Sequence, residues 1–275
     1  MRPNDSDTAA TPANALSKVP AVTLAFWIVK IFATTVGETG GDALSMTLQL
    51  GYVVSSAIFL AFFAVMLAAQ LRTRHYHPAI YWLVVVATTT VGTTTSDMFD
   101  RTLGLGYVKS SAIELGLVIA VLVAWHLSTG QIGVDRITTR KNEIFYWLTI
   151  LVSNTLGTAL GDFAADDAGL GFQKGALVFA GLILVVAALH RFTRVPKSIL
   201  FWAAYVLTRP LGATLGDTLT KPVADGGLNF GRFTSSLVIG AGMVILIATT
   251  SLRRRATVNG DDSLARLSGD AASVP

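Results

Sequence analysis

The sequence predicts an all-α membrane protein of eight transmembrane helices, built as four tandem helical hairpins with pseudo-symmetry about the membrane normal. Three observations predict it. The 275-residue chain is 52% hydrophobic and 14% charged, with a mean hydropathy of +0.58, whereas a soluble domain carries about 25% charged residues. Its 21 basic and 17 acidic residues gather at the ends and in short clusters. The apolar stretches between those clusters run to roughly 20 residues, enough to cross a hydrocarbon core. Finally, one pattern, Trp-x9-Gly-x4-Asp, occurs four times in a single register.

The repeat is legible residue by residue. Trp27, Trp82, Trp147 and Trp202 each follow an aromatic residue, namely Phe26, Tyr81, Tyr146 and Phe201. The glycines are Gly37, Gly92, Gly157 and Gly212, and the aspartates Asp42, Asp97, Asp162 and Asp217. A second small residue precedes each aspartate: Gly41, Ser96, Gly161 and Gly216. A short linker then leads to a second apolar segment, opening with Gly51-Tyr52, Gly106-Tyr107, Gly171-Phe172 or Asn229-Phe230, the fourth linker being about three residues longer. The expected helices span 21–43, 51–71, 79–99, 106–127, 144–163, 171–190, 198–218 and 231–252. They form one membrane domain, 21–252, with repeats at about 21–78, 79–143, 144–196 and 197–252. Thr-Thr-Val-Gly recurs in copies one and two, and Leu-Gly followed by Leu-Gly-Asp in copies three and four, as two rounds of duplication would leave them.

Residues 1–20 hold three prolines and two aspartates and no apolar central stretch, so they read as a disordered tail and not a signal peptide. Residues 253–275, basic and then polar, read as a second disordered tail. Lysine and arginine number fourteen on the side of the termini against Arg101, Lys109, Lys174, Lys221 and Arg232 on the other, which places both termini in the cytoplasm. Each repeat holds an even number of helices, so all copies point the same way, their common axis lies along the membrane normal, and the aspartates lie near the outer surface. The absence of cysteine excludes disulfides and thiolate metal sites. The net charge of +4 is accounted for by cytoplasmic loops, with no need of nucleic acid as a partner.

With these motifs the chain resembles bacterial membrane proteins that carry four tandem copies of a two-helix repeat of unknown function, each with a characteristic tryptophan. Trp27, Trp82, Trp147 and Trp202 fall on that position, and the likeness covers about residues 26–252. The resemblance implies residence in the bacterial inner membrane and leaves the chemistry open.

On a wheel of 100° per residue, Trp27, Lys30, Thr34, Thr35, Glu38, Gly41 and Asp42 share one face of the first helix. Lipid cannot satisfy such groups, so this face is expected to meet other helices or water. The tryptophans and the Gly-x3-small pairs suit close helix packing. The alternative is an unwound segment that coordinates an ion, most credible in helix seven, where Pro210 precedes Gly212. The four aspartates have two readings: turn or capping residues, or a carboxylate cluster that binds a cation together with Glu38. Eight residues deeper, about 12 Å along a helix, lie Thr34, Thr89, Asn154 and Arg209, a polar layer resembling a path, although the fixed charge of Arg209 opposes a simple open pore. The unrepeated charges Lys30, Glu38 and Glu114 read either as coupling groups or as structural ion pairs. Glu114 is expected to pair with Arg209 or Lys30, and Lys30 with Glu38 or Glu114. His75, His77, His126 and His190 lie at the cytoplasmic ends, and Asp166 and Asp167 in an outer turn, as loop residues.

No nucleophile–base pair, zinc motif, phosphate loop or dinucleotide fingerprint occurs, so no enzymatic activity and no cofactor is expected. The polar residues offer carboxylate, hydroxyl, amide and backbone oxygen, which suit a hard cation such as manganese, bound as substrate. The expectation is therefore a transporter of a small divalent cation. Two alternatives stand beside it: a proton-coupled carrier of a small organic solute with Arg209 or Lys30 as counter-charge, and a non-transporting scaffold. The expected partners are the bilayer and the small cation or solute, and the oligomeric state is left open.

Overall fold

The computed structural model describes residues 18–130, 132, 137 and 139–271, with side chains as far as Leu252. Arg136 and most of the two terminal tails read from the sequence lie outside the described residues or side chains. Eight α-helices follow one another: α1 (Leu24–Asp42), α2 (Gly51–Arg72), α3 (Pro78–Asp97), α4 (Tyr107–Thr129), α5 (Arg140–Asp162), α6 (Gly171–Phe192), α7 (Lys197–Thr220) and α8 (Arg232–Ala271). Local chemistry sets their starts. The Thr23 hydroxyl accepts from the Phe26 amide (3.3 Å) and that of Thr139 from the Asn142 amide (3.2 Å), while α3 opens on Pro78, whose missing N–H costs nothing there. α8 runs on to Ala271, across the first part of the segment read as a tail.

The odd helices are inside and the even helices outside. In the apolar stretches of α5 and α7, 67% of residues are buried, against 11–17% in α2, α4, α6 and α8. Among the described residues, six helices are long and apolar enough to cross a membrane: α2, α4, α5, α6, α7 and α8. α1 and α3 fall short because Lys30, Glu38 and Asp42 in one, and six threonines in the other, dilute their hydropathy. All of these polar residues except Thr95 are buried against neighbouring helices.

α1, α3, α5 and α7 pack in cyclic order, α7 closing onto α1. Each even helix packs on the odd helix of the following copy: α2 on α3, α4 on α5, α6 on α7, and α8 back on α1. The hairpin in contact therefore straddles two repeats and not one. The repeated sequence positions mediate this cycle. A side chain at Gly37 would collide with Thr89, one at Gly92 would crowd Asn154, one at Gly157 would meet Arg209, and one at Gly212 would collide with Thr34. The polar residue of each copy thus sits on the glycine of the copy before it, and the fourth glycine receives the first copy's threonine. α7 is helical without a break across Pro210, so the close packing expected of these small residues is found and the alternative of an unwound segment is not; the proline ring packs onto Gly157.

The aromatic residues form a second closed cycle at the other end. Phe26 contacts Trp27 and Trp82, Tyr81 contacts Trp82 and Trp147, Tyr146 contacts Trp147 and Trp202, and Phe201 contacts Trp202 and Trp27, with ring centroids 5.1–6.0 Å apart. The pairs within a copy are edge-to-face and those between copies tilted, and such contacts add to the burial of the rings themselves.

Copy four differs in its linker. After the aspartates of copies one to three the helix widens into a π turn, Ala43–Thr47, Met98–Thr102 and Phe163–Asp167. Two left-handed residues follow, Gln49 and Gly51, Gly104 and Gly106, or Gly169 and Gly171. In copy four α7 continues instead to Thr220, and the left-handed pair is Asn229 and Gly231. The second helix of that copy therefore opens at Gly231-Arg232 and not at Asn229-Phe230. The linker is correspondingly longer by five residues, 14 from Asp217 to Gly231 against nine elsewhere.

Candidate functional site

Residues four apart on a helix lie within 40° of each other, so each odd helix sends one residue per turn into the interior. Counting back from the aspartates by fours gives the interior in layers. The first is Asp42, Asp97, Asp162 and Asp217; the second Glu38, Thr93, Thr158 and Ala213; the third Thr34, Thr89, Asn154 and Arg209; the fourth Lys30, Val85, Ile150 and Tyr205; the last the aromatic cycle. All sixteen residues of the first four layers are buried.

The aspartates are not an open acidic ring. Arg101 Nε lies 3.0 Å from Asp97, and its guanidinium reaches Asp162 at 4.0 Å. Lys221 Nζ lies 3.3 Å from Asp217 and 3.7 Å from Asp42, and Arg232 Nε 3.3 Å from Asp42. Two cations therefore clamp the four carboxylates in pairs, each cation following the aspartate of copy two or four by one helical turn. Burial opposes the charge of Lys221, but the carboxylates of Asp217 and Asp42 outweigh it and hold its ammonium above the ordinary lysine value. Within this group Glu38, Asp42 and Asp217 each bring one carboxylate oxygen within 4.8 Å of the others, a spacing on which one cation could be held. Tyr52 and Tyr107, at the starts of α2 and α4, lie close enough to Asp97 and Asp162 respectively to feel their charge, and Arg232 holds the same position at the start of α8.

One turn deeper, Arg209 occupies the centre. Its guanidinium bonds Glu38 Oε2 (2.9 Å), the hydroxyls of Thr158 (2.7 Å) and Thr93, and the carbonyl of Thr34 (3.4 Å). Glu38 also accepts from Thr93 (3.3 Å). Copies one to three thus each supply a ligand to the arginine of copy four, whose own residue in that layer is the small Ala213. The partner expected for Arg209, Glu114, is elsewhere: it is buried on α4 against α2, α3 and α5, and among the described residues no ion pair joins the two. The reason is the packing of α4 on α5, which keeps α4 off the axis.

The polar layer read as a path is largely consumed by packing. Thr34 donates to the carbonyl of Thr208 (3.1 Å) and Thr89 to that of Ala33 (3.1 Å), closing the seams α1–α7 and α1–α3. Asn154 donates to Thr88 (3.0 Å) and accepts from Lys30 Nζ (3.4 Å). Lys30 lies over the ring of Tyr205, 4.2 Å from its centroid. Among the described residues it makes no ion pair, so neither carboxylate expected for it, Glu38 or Glu114, is its partner. Near the start of α5, Glu143 is buried with Lys18 (2.7 Å) and Gln70 (3.4 Å). Asp166 in the outer turn accepts from Tyr107 (3.2 Å).

The structure therefore brings together Asp42, Asp97, Asp162, Asp217, Glu38 and Arg209, and separately Lys30 with Asn154. The sequence reading missed Arg101, Lys221 and Arg232 as members of the site. The signal for the first two was present: a basic residue four after the aspartate in copies two and four, where copies one and three have Met46 and Asp166.

The family described as Repeat of Unknown Function (DUF347) matches four segments of the chain, residues 25–76, 80–131, 145–195 and 200–256. Comparisons with curated proteins and with solved structures give no match.

Proposed function

The chain belongs to the Repeat of Unknown Function family, and from its interior we propose that it is a multi-pass carrier of a small hard cation, with Glu38, Asp42 and Asp217 as the binding group. The observation that carries this reading is the convergence of three buried carboxylate oxygens from two adjacent helices, α1 and α7, onto a place where the tethered ammonium of Lys221 joins Asp42 to Asp217, with Arg209 on Glu38 and Arg232 on Asp42. A divalent ion such as manganese, which takes oxygen ligands, would displace Lys221 from the carboxylates, and Lys221 would return when the ion leaves. The aromatic cycle closes one end of the interior and the Arg209 network the middle, an arrangement suited to a carrier and opposed to an open channel. In this reading all eight helices cross the bilayer with the four copies around an axis along its normal. Both termini are cytoplasmic, in a bacterial inner membrane, and the activity is transport without catalysis. The test is manganese uptake into vesicles containing the purified protein, with Asp42→Asn and Asp217→Asn. Both variants should lose uptake, and uptake unchanged in both would overturn the proposal.

One observation favours a second reading, a carrier of a small organic anion. Lys30 is fully buried beside Asn154 and Tyr205 without a carboxylate, a counter-charge for a ligand's own anionic group. Lys30→Met would then abolish transport of an organic acid and leave manganese binding at the aspartates unchanged.

A further inference from the structure

We propose that the chain carries a second binding site, off the axis, which takes a lipophilic amine from the bilayer with Glu114 as the counter-ion of its ammonium group. A cavity of about 340 Å³ lies between α2, α3, α4 and α5, at the lower end of the ~300–1,000 Å³ typical of small-molecule sites. Its walls are largely apolar, with Leu60, Val91, Phe99, Leu117 and Leu151 among them. Glu114 lines it, is only 1% exposed, and neither of its carboxylate oxygens has a hydrogen-bond partner. The hydroxyl of Ser56, which lines the same cavity from α2, has none either.

The neighbouring groups are already committed. Ser96 donates to Asp100 Oδ2 (3.4 Å), and Ser110 donates to the other oxygen of the same carboxylate. Arg209 is held by Glu38 on the far side of the inner helices, and Arg101 by Asp97 and Asp162. A carboxylate enclosed by apolar walls with no counter-ion, whose nearest donor, Ser96, is shared with Asp100, is costly, and a ligand that brings one ammonium removes that cost. Glu114 is the one charged group of the lining, beside the hydroxyls of Ser56, Thr95 and Thr155, and no cation lines the pocket, which selects an amine over an acid. Ala57, Leu60 and Leu117 at its rim are exposed on the outer surface of the bundle, between two of the most apolar helices. A ligand therefore arrives sideways out of lipid and not along the axis, and its apolar body lies against α2 and α4. This site does not depend on the axial carboxylates.

The full chain in lipid nanodiscs, treated with a hydrophobic carbodiimide that modifies carboxyls within reach of lipid, provides the test, with adducts located by peptide mass. A single adduct at Glu114 is expected, absent in Glu114→Gln, whose thermal unfolding reports that it is folded. Dodecylamine should slow the labelling at least about tenfold, whereas dodecanol and dodecanoate, of the same chain length, should leave it unchanged. No adduct at Glu114, no protection by the amine, or equal protection by dodecanol would each overturn the proposal.

Discussion

Gly157 and Arg209 occupy one volume between them: a Cβ on the glycine would stand 2.5 Å from both Cβ and Cγ of the arginine. The long side chain of copy four crosses to its partners on copies one to three only because copy three leaves this gap. Gly157→Ala is therefore expected to lower stability by about 1–3 kcal/mol through overpacking, read as the midpoint of thermal unfolding in detergent. Gly181→Ala, on α6 with nothing near its missing side chain, should be neutral or raise the midpoint, since glycine inside a helix costs roughly 0.5–1 kcal/mol relative to alanine. Equal loss in both would mean that the gap at Gly157 is not what matters.

Arg209 and Glu38 form an ion pair with side chains 0% and 4% exposed. Arg209→Met strands the carboxylate, at an expected cost of about 3–5 kcal/mol. The double variant with Glu38→Met removes both charges and should recover most of that loss. A double variant as unstable as the single one would show that the pair is not the unit.

Lys30 carries a buried ammonium with one amide and one ring for company. Lys30→Met keeps the length of the side chain and removes the desolvated charge, so its unfolding midpoint should rise above that of the natural chain. A fall would show that the ammonium contributes to the packed state. Residues that gain stability on losing a buried charge are commonly those retained for activity, so transport should be measured on the same variant.

The left-handed turns before the even helices give a fourth test. Gln49 adopts φ 55° where copies two and three have glycine. Gln49→Gly should gain up to about 1 kcal/mol by removing the left-handed penalty. Gly104→Ala, in open space at φ 67°, should lose a similar amount. Chemical denaturation in mild detergent would report both.

Much of this architecture could be read from the chain because every copy repeats the same few constraints. Trp82 meets Phe26 of the copy before, Gly92 meets Asn154 of the copy after, and Asp97 is joined through Arg101 to Asp162, and contacts between copies preserve spacing. Which helix packs on which could not be read: the preference of α2 for α3 over α1 is a property of the closed ring and leaves no local pattern. The start of the eighth helix was legible, but its left-handed lead-in was aligned two residues early, because Asn229 fills the position held by Gln49, Gly104 and Gly169 in the other copies. The aspartates were recognised, but Arg101 and Lys221 were counted only as charges of the outer side, so the cluster looked acidic where the structure makes it nearly balanced. Glu114 drew attention as an intramembrane charge, yet its lack of any partner appears only once α4 is placed outside the ring.

The return of α8 to α1 bears on how the chain is made. α1 is synthesised first, carrying Lys30, Glu38 and Asp42, and the counter-charges of its carboxylates arrive last. Arg209 for Glu38, and Lys221 and Arg232 for Asp42, belong to the fourth copy, roughly 170–190 residues later. During synthesis Thr93 on α3 and Asn154 on α5 can reach Glu38 and Lys30 early, but Glu38 and Asp42 have no counter-charge until the fourth copy supplies it. Synthesis of the fourth copy and neutralisation of the carboxylates on α1 are one event.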